Sequence, residues 1–113
     1  MSEIVLSDEE AKRIVREAME SFPEASSPSL VCVKWKYKEM QFVFADEDGE
    51  KVVRHNVDEE MLVKGLRILL KLAIQGRYHN NDFPNGFEDT GNWDATDFDA
   101  LVQCAIFGEI IYG

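Results

Sequence analysis

An α+β fold of element order αβββαα is predicted by two changes in the spacing of the apolar residues. They recur at helical spacing near the N-terminus, alternate with polar residues in the second quarter of the chain, and then return to helical spacing. With 113 residues, of which 45% are hydrophobic, the chain is long enough for a single domain, 1–113, around one core. We therefore expect a three-stranded antiparallel meander with the helices packed on one of its faces.

The first helix is predicted over residues 8–21. Ser7 and Glu10 have the spacing of a capping box, in which each side chain binds a free backbone N–H at the helix start. The apolar positions that follow recur at helical spacing: Ala11, Ile14, Val15, Ala18 and Met19. We expect the helix to end before Pro23, because proline interrupts a helix.

The strands are predicted by alternation of apolar and polar residues. Odd-numbered apolar positions come first: Val31, Val33, Trp35 and Tyr37. Even-numbered positions follow: Met40, Phe42 and Phe44. This change of parity requires a turn or a bulge. A tight turn centred on Lys38 and Glu39 would create three apolar pairs on one face: Tyr37 with Met40, Trp35 with Phe42 and Val33 with Phe44. A bent strand with a bulge is the alternative.

The second hairpin is indicated by the run Asp46-Glu47-Asp48-Gly49, a composition typical of turns. A third strand over residues 51–57 then places three side chains on the same face as Phe42: Val53, His55 and Val57. The other face should carry basic side chains: Lys34, Lys36 and Arg54.

Two further helices follow the strands. Asp58 is placed to cap the second helix, which should end near Gly76 and form the centre of the core. Its apolar face comprises Met61, Leu62, Leu66, Leu69, Leu70, Ala73 and Ile74. Asp94 is placed to cap the third helix after a polar loop over residues 78–93. The core-facing positions of the third helix are Phe98, Leu101, Val102, Ala105, Ile106 and Ile110.

The charge of the chain is strongly acidic and unevenly distributed. The formal net charge is −10, and residues 78–113 contain seven acids and neither lysine nor arginine. Such a surface repels nucleic acids and anionic membranes and attracts basic protein surfaces. We therefore expect a basic protein partner, and neither direct nucleic-acid binding nor membrane binding.

The loop over residues 78–93 is the most suggestive candidate for partner binding. Its aromatic and acidic side chains are the candidates: Asp82, Phe83, Phe87, Glu88, Asp89 and Trp93. Aromatic residues in polar loops often anchor binding. The alternative is that the rings point inward and fix the loop to the core.

No catalytic, cofactor or metal motif is present in the sequence. His55 and His79 are the only histidines, and neither lies near a serine or cysteine in a nucleophile motif. Cys32 and Cys104 lack the partners of a metal site, and we expect both to be reduced apolar side chains. We expect no enzymatic activity, no cofactor and a cytoplasmic location.

The C-terminal tail is apolar on nearly all sides. Four side chains around Gly108 form a candidate oligomer interface: Phe107, Ile110, Ile111 and Tyr112. Either the first two helices cover this apolar surface or a second copy does, and we expect a homodimer.

The segment Asp97–Gly113 (DFDALVQCAIFGEIIYG) resembles the ending of small uncharacterised proteins encoded by phages and prophages. This resemblance implies no activity, but it favours a small accessory protein, a class similar to non-enzymatic inhibitors of host systems. We therefore expect a protein–protein interaction module, of which an anti-defence inhibitor is the sharpest version. A homo-oligomeric structural protein is the main alternative, and a small metal-dependent enzyme is the third.

Overall fold

The computed structural model describes residues 5–21, 30–48, 51–80 and 83–111. The elements are α1 (Asp8–Ser21), β1 (Val31–Lys36), β2 (Gln41–Asp48), β3 (Lys51–Val57), α2 (Glu59–Ile74) and α3 (Ala95–Phe107). The three strands form an antiparallel sheet of order β1-β2-β3. The predicted α+β class and the order αβββαα are therefore confirmed.

Helix α1 has the bounds that its sequence pattern predicts. The backbone N–H of Glu10 donates to the Ser7 hydroxyl oxygen over 3.2 Å, which is one half of the predicted capping box. The Glu10 carboxylate instead accepts hydrogen bonds from the Arg13 guanidinium, one turn further along the helix. The apolar face of α1 is fully buried. Pro23 lies outside the described residues.

The first two strands form the predicted hairpin, with Trp35 directly opposite Phe42. The turn is a short 3-10 helix at Tyr37–Glu39, and the left-handed backbone conformation falls on Met40, with φ 52°. Tyr37 therefore belongs to the turn, and the predicted pair of Tyr37 with Met40 is wrong. The lysine and glutamate at the centre of this turn are thereby spared a positive φ, which neither residue favours.

The bulge considered as an alternative to the turn is present together with it. The register shifts between Cys32 and Lys34, so that Phe44 lies opposite Cys32 and not opposite Val33 as predicted. Trp35 is 54% exposed, although the predicted pairing with Phe42 places it on the apolar face that the helices were expected to cover. Because β1 is an edge strand, its side chains lie at the margin of the surface that the helices cover.

Strand β2 is longer than the sequence predicts. Its pairing with β3 continues through Asp46, opposite Val53, to Asp48, opposite Lys51. The predicted turn at residues 46–49 therefore begins later, because these acidic residues are held by backbone pairing in spite of their low strand propensity. Gly49 lies outside the described residues.

Helix α2 is the centre of the core, as predicted. The Asp58 carboxylate caps it by accepting from the backbone N–H of Met61 over 2.9 Å. Helix α2 contacts both α1 and α3. The closest approach is at Gly65, where an added Cβ would lie 2.7 Å from the backbone nitrogen of Ala105 in α3. Only glycine lets these two helix backbones come so near.

Helix α3 begins as predicted and ends earlier. Asp94 and Asp97 form a capping box at its first turn. Gly108 then adopts a left-handed conformation, with φ 74°, and its backbone N–H bonds to Cys104 O. The helix therefore ends at Phe107, and Ile110 lies beyond it, contrary to the prediction. Glycine adopts this conformation without steric cost, so it is a common helix terminator.

The helices cover one face of the sheet and leave the other open. Phe42 and Phe44 of the middle strand are buried in the same core as the leucines of α2. Residues on the opposite face remain in contact with solvent, including Val31 at 55% and Val52 at 59% exposure. The predicted basic side chains, Lys34, Lys36 and Arg54, are on this open face and are exposed.

The replacement Gly65→Ala tests the contact between α2 and α3. Alanine normally stabilises a helix interior by about 0.5–1 kcal/mol relative to glycine. Here the added methyl would overlap the backbone of Ala105, so we expect the free energy of unfolding to fall by about 1–3 kcal/mol. Urea unfolding measures the change. The neighbouring exposed replacement Lys64→Ala is the control and should stay within about 0.5 kcal/mol. A stabilised Gly65→Ala protein would contradict the close approach.

Candidate interaction surfaces

Aromatic rings connect the loop before α3 to the core. Trp93 lies near Phe83, with ring centres 5.7 Å apart and planes at 75°, and near Phe98 at 5.5 Å. Phe83 also meets the ring of Tyr78 edge to face at 5.4 Å. Such edge-to-face pairs are favourable beyond the area that they bury. The rings therefore form one chain from the end of α2 to the start of α3.

The aromatic residues predicted to bind a partner differ in their exposure to solvent. Phe87 and Trp93 are buried, with 6% and 7% exposure, and the Trp93 indole N–H donates to Phe87 O over 3.0 Å. Phe83 is half-buried. Phe87 and Trp93 thus fix the loop to the core, which is the alternative the sequence left open. Phe83 retains more surface for a partner.

A buried carboxylate anchors the same loop to α3. Asp97 is only 2% exposed and accepts hydrogen bonds from the Tyr78 hydroxyl, from the Asn80 amide at 3.0 Å and from the backbone N–H of Asp94 at 3.1 Å. Burial, and then the nearby Asp97 carboxylate, raise the pKa of Tyr78 well above its ordinary value. With three donors bound, the Asp97 carboxylate serves as a structural acceptor.

A cavity of about 290 Å³ lies under this loop. The polar groups around it are mainly side-chain amides, from Asn80, Asn85 and Asn92, and its apolar wall includes the rings of Phe83 and Trp93. Amides and aromatic faces can hold a small polar molecule. The carboxylate of Asp97 also lines the cavity, and three hydrogen-bond donors occupy it.

The predicted acidic candidates lie on the outer side of the loop. Glu88 and Asp89 are exposed, and the Asp89 carboxylate also accepts from the backbone N–H of Gly91 over 3.0 Å. Asp82 lies outside the described residues. The Arg13 guanidinium of α1 donates to Glu88 O over 3.4 Å while it is paired with Glu10 and Glu17. This contact brings α1 against the acidic loop.

The acids of α1 therefore extend the acidic surface of the loop. Four glutamates lie within two turns of Arg13 and on its side of the helix: Glu9, Glu10, Glu17 and Glu20. Together with Glu88 and Asp89 we call them the acidic surface. The contribution of α1 is not evident from the sequence, because 75 residues separate Arg13 from Glu88.

The C-terminal segment folds back onto α3. The backbone N–H of Ile111 donates to the side-chain oxygen of the buried Gln103 over 2.9 Å, and Gln103 in turn donates to Asp99 over 2.7 Å. The Phe107 ring meets His55 edge to face at 5.5 Å and is half-buried, as is Ile110. Ile111 is 47% exposed. Tyr112 lies outside the described residues. Within one chain, Phe107 and Ile110 are therefore covered more than we expected for residues of an oligomer interface.

The two cysteine thiols are not activated. Burial raises the pKa of the Cys104 thiol to about 12, and burial also raises the pKa of Cys32. The thiolate is the reactive form of cysteine, so both thiols are poor nucleophiles near neutral pH. The described residues contain no group of three or more metal-binding side chains that could hold an ion. Nor does any helix in the described ranges have the length and apolar character needed to cross a membrane.

Comparisons of the chain with protein-family models, curated proteins and solved structures gave no significant match.

The replacement Tyr78→Phe tests the buried network. Removing the hydroxyl deprives Asp97 of a donor, and we expect a loss of about 1–3 kcal/mol in the free energy of unfolding at neutral pH. Because the pKa of Tyr78 is raised in the folded protein, the native protein keeps the hydroxyl proton at pH values at which the unfolded chain releases it. The stability from this proton is therefore complete below about pH 10 and is lost as the pH rises further.

Urea unfolding between pH 7 and pH 11 measures both effects. The stability of the wild type should fall more steeply above about pH 10 than that of Tyr78→Phe. Tyr37→Phe is the control, because the Tyr37 hydroxyl makes one 3.2 Å bond to Arg16 O near the surface and should contribute less. Parallel curves for the wild type and Tyr78→Phe would contradict the assigned network.

The replacement Ile111→Asp tests the predicted homodimer. If a second copy covers Ile111, light scattering should show a dimer in the wild type and a folded monomer in the variant, because a buried unpaired carboxylate is strongly disfavoured. Measurements across a hundredfold dilution decide between the two states. A wild type that remains monomeric throughout would show that the tail belongs to the fold of one chain.

Proposed function

We propose that this protein is a non-enzymatic interaction module whose acidic surface binds a basic surface of another protein. The observation that carries this proposal is the Arg13 contact with Glu88 O, together with the ion pairs of Arg13 with Glu10 and Glu17. Arg13 contacts two segments that are distant in the sequence, and its positive charge is already paired with the carboxylates of Glu10 and Glu17. The acidic surface therefore keeps an excess of negative charge.

The geometry of this surface suits electrostatic recognition. Opposite charges attract over a screening length of about 8 Å at physiological ionic strength, and one helical turn, which separates Arg13 from Glu10 and from Glu17, rises only about 5.4 Å. A continuous group of acids accelerates encounter with a basic surface and disfavours acidic competitors. Phe87 and Trp93, which are buried and joined by a hydrogen bond, hold the backbone next to Glu88 and Asp89 against the core, which reduces the ordering required on binding.

The chemistry of the other side chains supports a non-enzymatic role. The Cys104 thiol is buried with a raised pKa, and the Asp97 carboxylate is occupied by three donors. Catalytic groups usually combine exposure to a cleft with a pKa near the working pH. Neither of these two groups meets that requirement.

Within this class, the resemblance of residues 97–113 to the ending of phage and prophage proteins supports an accessory protein that inhibits a host system. Genes for such inhibitors lie among early or anti-defence genes. We expect the gene for this protein to have neighbours of that kind. Neighbouring virion genes would favour the alternative of a homo-oligomeric structural protein.

Charge reversal at Glu9 and Glu88 tests the proposed function. Both side chains are exposed, and neither caps a helix or turn. We expect the double replacement Glu9→Lys/Glu88→Lys to reduce capture of the partner from a host lysate at least tenfold, as quantitative mass spectrometry would show. Wild-type capture should also weaken with added salt, because screening reduces charge attraction.

The control is Glu60→Lys/Glu109→Lys, which makes the same change in net charge at two exposed acids outside the acidic surface. It should capture the partner as the wild type does. Thermal unfolding verifies that both variants fold. The proposal fails if both variants capture the same proteins in the same amounts as the wild type.

A further inference from the structure

The open face of the sheet has the layout of an interface centre with a charged rim. Val43 and Ala45 of the middle strand lie at its centre and are half-buried. Val31, opposite Ala45 on β1, and Val52 on β3 extend the apolar area and are more than half exposed. Apolar side chains grouped on an otherwise solvated sheet face are typical of a surface that binds a partner.

Basic side chains flank this apolar centre on both sides. Lys34 of β1 lies opposite Val43, and Arg54 of β3 lies opposite Ala45. Both are exposed, and within the described part of the chain neither is held in an ion pair. At one end of the face Glu47 pairs with Val52 through the backbone, and at the other end Asp58 borders a groove of about 400 Å³.

The dimensions of the face indicate the kind of partner. Strands β1 and β3 are separated by two strand spacings, about 10 Å, which matches the 10–12 Å diameter of an α-helix. Three strands of about six residues offer roughly 300 Å², whereas a stable interface between two globular proteins needs about 800 Å² from each. A symmetric contact between two copies would also place the basic rims against each other.

We propose that the open face binds an acidic amphipathic helix of another protein. The helix would lie along β2, with its apolar stripe on Val43 and Ala45 and its acidic flanks at Lys34 and Arg54. This surface differs in position and in charge from the acidic surface, so the protein would join a basic partner to an acidic one. The replacements that test the open face leave the acidic surface unchanged. A failure of this proposal can therefore be distinguished from a failure of the proposed function.

Selection from a random 16-residue peptide display library tests this assignment. The wild type is the bait, and Ala45→Gln, which puts a bulky polar side chain at the centre of the face, is used for counter-selection. We expect enriched peptides with apolar residues at helical spacing and Asp or Glu on both flanks. Fluorescence anisotropy of one labelled enriched peptide should show at least tenfold weaker binding to Lys34→Glu/Arg54→Glu.

The control is Lys64→Glu/Lys71→Glu, an equal charge change on the exposed side of α2, which should bind this peptide as the wild type does. Thermal unfolding verifies the folding of each variant. Enrichment of neutral or basic peptides, equal binding of the enriched peptide to the wild type and to Lys34→Glu/Arg54→Glu, or no enrichment would overturn the proposal. Binding of a single-stranded DNA 12-mer that is lost in Lys34→Glu/Arg54→Glu would assign the face to nucleic acid instead. A dimer that Ala45→Gln dissociates would assign it to a second copy.

Discussion

Burial of Phe42 and Phe44 on one side of the middle strand is the constraint on which the rest of the structure depends. Strand β2 is hydrogen-bonded to a neighbour on both sides, so its alternate residues, Val43 and Ala45, must face the opposite way. The core that covers Phe42 and Phe44 includes the apolar faces of all three helices. Because the helices are committed to that face, the other face is left open.

The same packing produces the acidic surface. The close contact of Gly65 with Ala105 sets α3 against α2, and the Tyr78–Asp97 hydrogen bond then ties the preceding loop to the start of α3. That loop is brought to α1, where Arg13 meets Glu88 O. The core thus positions two surfaces of opposite charge: an acidic one on α1 and the loop, and a basic-rimmed one on the sheet.

Hydrophobic periodicity was sufficient to predict the six elements and their order, because each buries a face with its own spacing. It was insufficient where tertiary contacts outweigh local preference: pairing with β3 extends β2 through Asp48, and the edge position of β1 leaves Trp35 exposed. It also placed the end of α3 too late, although Gly108 was a local signal for termination. The acidic character of the loop that contains Glu88 was evident from the composition. The contact of this loop with α1 was not, because Arg13 and Glu88 are 75 residues apart in the sequence.

Solvent paramagnetic relaxation of the valine methyl groups tests the one-sided sheet most directly. A neutral gadolinium chelate broadens the NMR signals of methyl groups that solvent can reach, and it requires no replacement in the chain. If only one face of the sheet is covered, Val31 and Val52 on the open face should broaden strongly, whereas Val57, which is 2% exposed on the covered face, should be protected. Protection of Val31 and Val52 equal to that of Val57 would contradict this prediction.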